Sequence, residues 1–249
     1  MSQIETTSSL AELVTERPER TRVFERLHLD YCCGGSQSLA DACAARGLDV
    51  GTVERLLAAL ERGEQPSHAV EERDWRRASI GELCDHIVSA HHEGLRGELP
   101  RIAELLATVV RVHGEGRPEL ELTERAFATL RAELERHLQE EEQALFPACR
   151  ALERGDAAVD VTLIEPHEAE HLVVGKGLVA LRELAGGYDV SEALCSTHRS
   201  LLEALRHFEA DLHQHVHEEN NVLFPRVRKL AAEAGSAPLG TGGGADGQA

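Results

Sequence analysis

The chain has 249 residues, a formal net charge of −18 at neutral pH, and 42% hydrophobic against 28% charged residues. So acidic a chain repels phosphate backbones, which argues against nucleic acid as a partner, and no apolar run approaches the ~20 residues of a membrane span. Aromatic residues make up only 3%; with Leu and Ala as the filling, the composition favours helices over sheets.

No leader of charged, apolar and small residues opens the sequence, so the expected compartment is the cytoplasm. Cysteines at 32, 33, 43, 84, 149 and 195 show no disulfide-framework spacing and are expected as thiols. Residues 1–62 read as a small domain of short helices. Ser9-x-x-Glu12 is a capping box for the first, and Pro18 can begin the second. Next comes DYCCGGSQSLADAC, in which Cys32 and Cys33 precede Gly34-Gly35 and a helix starting near Ser38. Two neighbouring thiols on such a turn suit redox or metal chemistry, or are simply small turn residues. A helix ending at Gly63 closes this domain, and the polar residues 63–78 read as a linker.

A second capping box, Ser79-x-x-Glu82, opens a long helix reaching about His113. Further helices are expected from about Thr123 to Leu152, 162 to 185, and Ser191 to Glu233, with Pro147 and Pro225 each kinking or restarting its helix. Four long helices with short connections make an all-α, up-down-up-down bundle over residues 79–233. The Gly-rich residues 234–249 are expected to be disordered.

Inside the bundle one phrase occurs twice. HLQEEEQALFP from His137 and HVHEENNVLFP from His215 share H-x-x-x-E-x-x-x-L-F-P in register. A chain with 14 histidines produces H-x-x-x-E by chance, but not with a common tail. Both pairs also lie on apolar stripes: Phe127, Leu130 and Leu134 lead to His137 and Glu141, and Leu205, Phe208 and Leu212 lead to His215 and Glu219. A carboxylate in a core needs a cationic partner, and histidine beside it points to a metal. The first bundle helix places His92, and not His91, on its stripe, whereas the third offers both His167 and His171. His137 to His215 is 78 residues and His92 to His171 is 79, so His171 is the better counterpart in a two-helix unit used twice. Four histidines and two glutamates suit two bridged ions of iron, manganese or zinc. The competing pattern is His167-Glu-Ala-Glu-His171, an H-E-x-x-H zinc-protease motif with Glu168 as base, but it leaves the doubled phrase unexplained. The remaining histidines read as surface or ordinary core residues.

With DYCCGG, the DW of the linker, DHI, LRGELP, EEQALFP and ENNVLFPR on the page, the chain resembles the iron–sulfur cluster repair di-iron proteins, the hemerythrin-like RIC family, over residues 8–232. That resemblance implies an N-terminal helical domain bearing the double cysteine, followed by a hemerythrin-like bundle holding two irons bridged by carboxylates and an oxo group. It matches His92, His137, His171 and His215 to the histidine ligands, Glu141 and Glu219 to the bridging carboxylates, and Cys32 and Cys33 to the family's cysteine pair. The third-helix segment departs from the family, with Leu172-Val173-Val174-Gly175 after His171. The implied function is repair of iron–sulfur clusters damaged by nitric oxide or oxidants, by lending iron. The implied partners are proteins with damaged clusters and O2 or NO as small ligands; a homodimer is one candidate assembly, and the sequence does not fix the oligomeric state. The alternatives are a reversible O2 or NO carrier or sensor, and an NO-reducing enzyme.

Overall fold

The structure, a computed structural model, describes residues 4–62, 74–155 and 161–235. Most of the expected linker and the Gly-rich tail beyond 235 lie outside the described residues. Every extended element among the described residues is helical, and the one β-bridge joins Ser9 to Ser38.

The N-terminal stretch holds α1 (Leu10–Glu16), α2 (Thr21–Leu27), α3 (Leu39–Ala45) and α4 (Val50–Arg62). Ser9 and Ser38 each cap a helix by accepting from a backbone N–H three residues on, Glu12 and Asp41, which satisfies a donor the first turn cannot. Between α2 and α3 the Cys-Cys-Gly-Gly loop crosses close to the bundle. A Cβ on Gly35 would collide with the Tyr31 carbonyl and come within 3.0 Å of Asn221 Oδ1, so that position takes glycine because two backbones approach there.

The bundle comprises α5 (Ile80–Ile87) running on into α6 (Glu93–His113), α7 (Pro118–Glu140) into α8 (Phe146–Glu153), α9 (Ile164–Leu184), and α10 (Ser196–His217) into α11 (Phe224–Gly235). Its first helix is capped twice: Ser79 closes the capping box with Glu82, and the Glu153 carboxylate accepts from Ile80 N–H at 2.6 Å and Gly81 N–H at 2.9 Å. The second long helix starts at Pro118, five residues before the expected Thr123, because a proline at the first helical position gives up no hydrogen bond. The fourth starts at Ser196 rather than Ser191, after a short 3-10 turn over Val190–Glu192.

Three of the junctions are wide π turns, Val88–His92, Glu141–Leu145 and Glu218–Leu223. In each, a backbone N–H bonds the carbonyl five residues back: Glu93 to Val88, Phe146 to Glu141, and Phe224 to Glu219. Pro147 and Pro225 explain two of them. A proline has no N–H to offer the carbonyl four residues earlier, so the turn before it opens instead of continuing the α pattern. Nothing in the sequence accounts in the same way for the turn at Val88–His92.

Two apolar clusters flank these turns. One combines Leu99, Leu106, Phe127, Leu130, Leu178, Leu205 and Phe208 of the bundle with Leu10, Phe24, Leu39 and Leu57 of the N-terminal stretch. The other gathers Ile80, Ile87, Leu145, Phe146, Ile164, Leu223 and Phe224 at the opposite end. At about 1.5–3 kcal/mol per buried Leu, Ile or Phe, these clusters fix the helices on either side of a polar layer. The polar layer is where the doubled phrase falls.

Candidate metal centre

The six expected side chains converge in that layer. His92, His137, His171, His215, Glu141 and Glu219 are all buried. They form two overlapping groups whose ligand atoms all lie within 4.8 Å of one another: His92, His215, Glu141 and Glu219 in one, and His137, His171, Glu141 and Glu219 in the other. Both carboxylates belong to both groups. Within the first, His92 Nε2 and His215 Nε2 are 3.1 Å apart; within the second, His137 Nε2 and His171 Nε2 are also 3.1 Å apart. Glu141 lies 3.0 Å from His137 Nε2 and 3.5 Å from His92 Nε2, while Glu219 lies 3.1 Å from His171 Nε2 and 3.2 Å from His215 Nε2.

All four carboxylate oxygens are buried without a hydrogen-bond partner. Burial and the facing Glu219 both oppose ionisation of Glu141, yet His137 and His171 hold it below the usual carboxylate range. Burial likewise opposes ionisation of Glu219, and His215 and His171 hold it well below that range. Burial opposes protonation of His171, and the two carboxylates outweigh it and hold the imidazole well above the ordinary value. Two carboxylates kept anionic in a dry layer need cations, and unpaired buried charge costs several kcal/mol. A donor set of four inward Nε2 atoms and two shared carboxylates fits two divalent ions, which would replace the protons now carried there.

Outside the donors, three of the four imidazoles are held by their second nitrogen. Nδ1–H of His92 donates to Glu142 at 2.7 Å, that of His137 to Glu170 at 2.7 Å, and that of His171 to Asn220 Oδ1 at 2.8 Å. Each such bond fixes the tautomer that leaves the Nε2 lone pair facing inward. Nδ1 of His215 has no partner. Glu142 is also bound by Arg96, and Glu170 by Arg136 at 2.8 Å, which anchors both carboxylates from the surface.

Of the two α9 histidines, His171 enters the centre, while His167 Nδ1 donates at 2.8 Å to the carbonyl of Leu163, the residue just before the helix. Glu168 points away and forms a two-pronged ion pair with Arg228, both contacts at 2.7 Å. The base that the H-E-x-x-H pattern would need therefore sits on the outer surface.

His91 departs from the expected stripe: off the buried face on an unbroken α-helical period, it is in fact only 4% exposed. The π turn at Val88–His92 is wider than an α turn, so two adjacent residues face inward together. His91 stacks on His215, with ring centroids 5.6 Å apart, and its Nδ1–H donates to Asp211 at 2.9 Å.

Cys32 and Cys33 lie against the second half of the bundle. Asn221 Nδ2 donates to the Cys32 carbonyl at 2.9 Å, and Cys33 Sγ is 3.7 Å from the backbone oxygen of His171. The Cys32 thiol donates to Cys33 Sγ at 3.8 Å and to Asp30 at 3.4 Å. The bond to Cys33, together with burial, pushes Cys32 well up; the same bond lowers Cys33, which receives it, against the opposing effect of burial. The activation thus comes from the neighbouring thiol rather than from a helix N-terminus, since α3 begins only at Leu39. A cavity of about 360 Å3 opens beside the pair, lined among others by Asp30, Arg46, Lys176 and Arg182. Sequence spacing gave no sign of this docking, because it depends on Asn220 and Asn221, which read as filler between Glu219 and the L-F-P tail.

A four-helix bundle with two carboxylates shared between two histidine pairs defines the hemerythrin-type cation-binding class, and residues 84–227 match the Hemerythrin HHE cation binding domain. Residues 6–61 match a separate N-terminal domain of unknown function. The iron-sulfur cluster repair protein YtfE of Dickeya chrysanthemi (strain Ech1591) is 36% identical over 221 residues, spanning 88% of this chain and 96% of that protein. The proteins of the same name from Pectobacterium atrosepticum and Yersinia pseudotuberculosis are each 34% identical over 219 residues, with the same coverage. The chain belongs to the hemerythrin-like iron–sulfur cluster repair family.

Proposed function

We propose that this chain is a di-iron protein that repairs iron–sulfur clusters damaged by oxidative or nitrosative stress, acting in the cytoplasm as a source of iron for the damaged protein. The observation that carries the reading is the pair of buried carboxylates, Glu141 and Glu219, each common to both histidine pairs and each without a hydrogen bond on either oxygen. His92 and His215 would hold one iron, His137 and His171 the other, and the two glutamates would bridge them. Ferrous iron supplies a labile, redox-active ion at such a site and is also the cargo that a damaged cluster lacks.

The protein's own residues explain why such a site can both hold and yield iron. Glu142 and Glu170 strengthen His92 and His137 as ligands by accepting their Nδ1 protons. Ligation needs neutral imidazoles, so proton uptake by the histidines competes with the metal and favours release. No helix among the described residues is long and apolar enough to cross a membrane. Cys32 and Cys33 are candidates for a redox role beside the centre, since Cys33 carries the lowered thiol.

The test is anaerobic loading with ferrous iron, followed by mixing with an apo iron–sulfur protein. Two irons per chain before mixing and cluster restoration with loss of iron afterwards are expected. Two irons retained, with no restoration of the acceptor, would overturn the repair role while leaving the centre intact.

A further inference from the structure

Beside the central layer lies a second group of donors with the same symptom of missing charge. His86 Nε2 and His91 Nε2 approach one carboxylate oxygen, Glu218 Oε2, at 3.2 and 3.5 Å. These three atoms lie within 4.8 Å of one another. Neither His91 Nε2 nor Glu218 Oε2 has a hydrogen-bond partner, although both are buried. Donor atoms around a tetrahedral first-row ion, about 2.1 Å from it, stand roughly 3.4 Å apart. The two separations, 3.2 and 3.5 Å, are close to that spacing.

The surroundings are those of a ligand set. Asp211 accepts the Nδ1 proton of His91 at 2.9 Å, which turns the Nε2 lone pair toward Glu218. This is the carboxylate–histidine arrangement that orients metal ligands. Trp75 stacks on His86 at a centroid distance of 4.0 Å and fixes its ring. A cavity of about 130 Å3, lined by Trp75 and Glu218 together with Glu16, Asp74 and Gln214, lies beside the group.

We propose that His86, His91 and Glu218 form a third cation site, separate from the central pair, for a divalent first-row ion such as zinc or ferrous iron. Two imidazoles and one carboxylate are a borderline donor set that such ions favour. The site shares no donor with the centre but uses the neighbouring residue in two π turns: His91 precedes His92, and Glu218 precedes Glu219. His86 is partly exposed, with 24% of its side chain accessible, so an ion reaching this site from solvent stands one residue from the centre. Within the iron-supplying function proposed above, that makes it a staging point for metal entering or leaving.

The experiment uses the full chain with its centre loaded with iron, desalted, and equilibrated with Co2+ as the probe. Iron and cobalt per chain are measured separately, along with the visible bands of low-coordinate cobalt. One cobalt per chain is expected without loss of iron. His86→Ala and Glu218→Gln should each weaken cobalt binding more than tenfold, and Asp211→Asn by about tenfold, the usual size of such a supporting role. His86→Ala is the safer variant for folding, because that side chain is the least buried of the three donors. Cobalt uptake unchanged in both donor variants, no cobalt uptake by the wild type, or cobalt gained only as iron is lost would each overturn the proposal. The iron count before cobalt tests the central reading by itself: fewer than two irons contradicts that reading, while cobalt that depends on His86 supports the third site at any iron content.

Discussion

The two helix pairs of the bundle present equivalent donors to the centre but support them differently. Glu142 and Asn220 hold the same place after Glu141 and Glu219; Glu142 accepts from His92, and Asn220 from His171. Glu170 and His91 likewise each precede a histidine of the centre, His171 and His92. Glu170 accepts from His137, whereas His91 stacks on His215 and leaves its Nδ1 unpartnered. The donors are thus symmetric, and the layer behind them is not. Each proposed ion has one histidine backed by a carboxylate and one backed by an amide or by nothing, which gives both ions similar anionic support from different sources. At the position where the repeat breaks most, His91 turns to Asp211 and Glu218, and the third donor cluster appears.

The largest effect should come from breaking the symmetric part. Glu219→Gln and Glu141→Gln each remove a bridging charge from a dry layer, at a cost on the order of several kcal/mol to metal binding. Iron per chain after identical loading should fall to one or below in both variants. Glu168→Gln, which removes only the surface pair with Arg228, should keep both irons and change stability by no more than about 1 kcal/mol. Full iron in Glu219→Gln with loss in Glu168→Gln would move the site to the H-E-x-x-H pattern.

Smaller effects should separate the asymmetric supports. Glu142→Gln makes the first half resemble the second and should weaken iron about 10- to 100-fold in competition with a chelator. Glu170→Gln should do the same through His137. Asn220→Ala, which removes a neutral acceptor, should weaken iron less than either. Equal effects from all three would show that the supports orient the rings without contributing charge.

His91→Ala should cost less again at the centre. Its ring touches His215 but ligates neither proposed central ion, so both irons should remain, with a lower melting temperature from the lost stacking and packing. Loss of an iron would make His91 part of the centre.

The central donors were legible because the α-helical period places His137 with Glu141, and His215 with Glu219, on one face, and because apolar neighbours mark that face as buried. Ser79 with Glu82 marked the start of the bundle in the same local way. His91 was missed because the stripe assumed an unbroken 3.6-residue period, and the π turn over Val88–His92 departs from it. Pro118 marks the true start of its helix, since proline suits the first helical position. The union of His86, His91, Asp211 and Glu218, and the docking of the cysteine loop on Asn220 and Asn221, are tertiary contacts between distant segments. No local periodicity records them.

The smallest expected effect on iron tests whether that docked loop belongs to the centre. Cys33 Sγ stands 3.7 Å from the backbone oxygen of His171, on the side of α9 that does not carry the Nε2 donor. Among the described residues, the pair is tied to the second half of the bundle, where Asn220 and Asn221 donate to the Cys32 carbonyl and the Cys33 thiol donates to the His171 carbonyl, so any disturbance should be confined there. Cys32→Ser with Cys33→Ser is therefore expected to leave both irons in place while weakening transfer to an apo acceptor. The hydroxyls can take over the short-range hydrogen bonds, but they cannot be oxidised to a disulfide or present a thiolate to iron. Iron per chain and the transfer rate are measured on the same preparation. Iron falling to half would make a thiol a ligand; iron and transfer both unchanged would leave the pair as turn residues, with the glycines rather than the cysteines setting the loop.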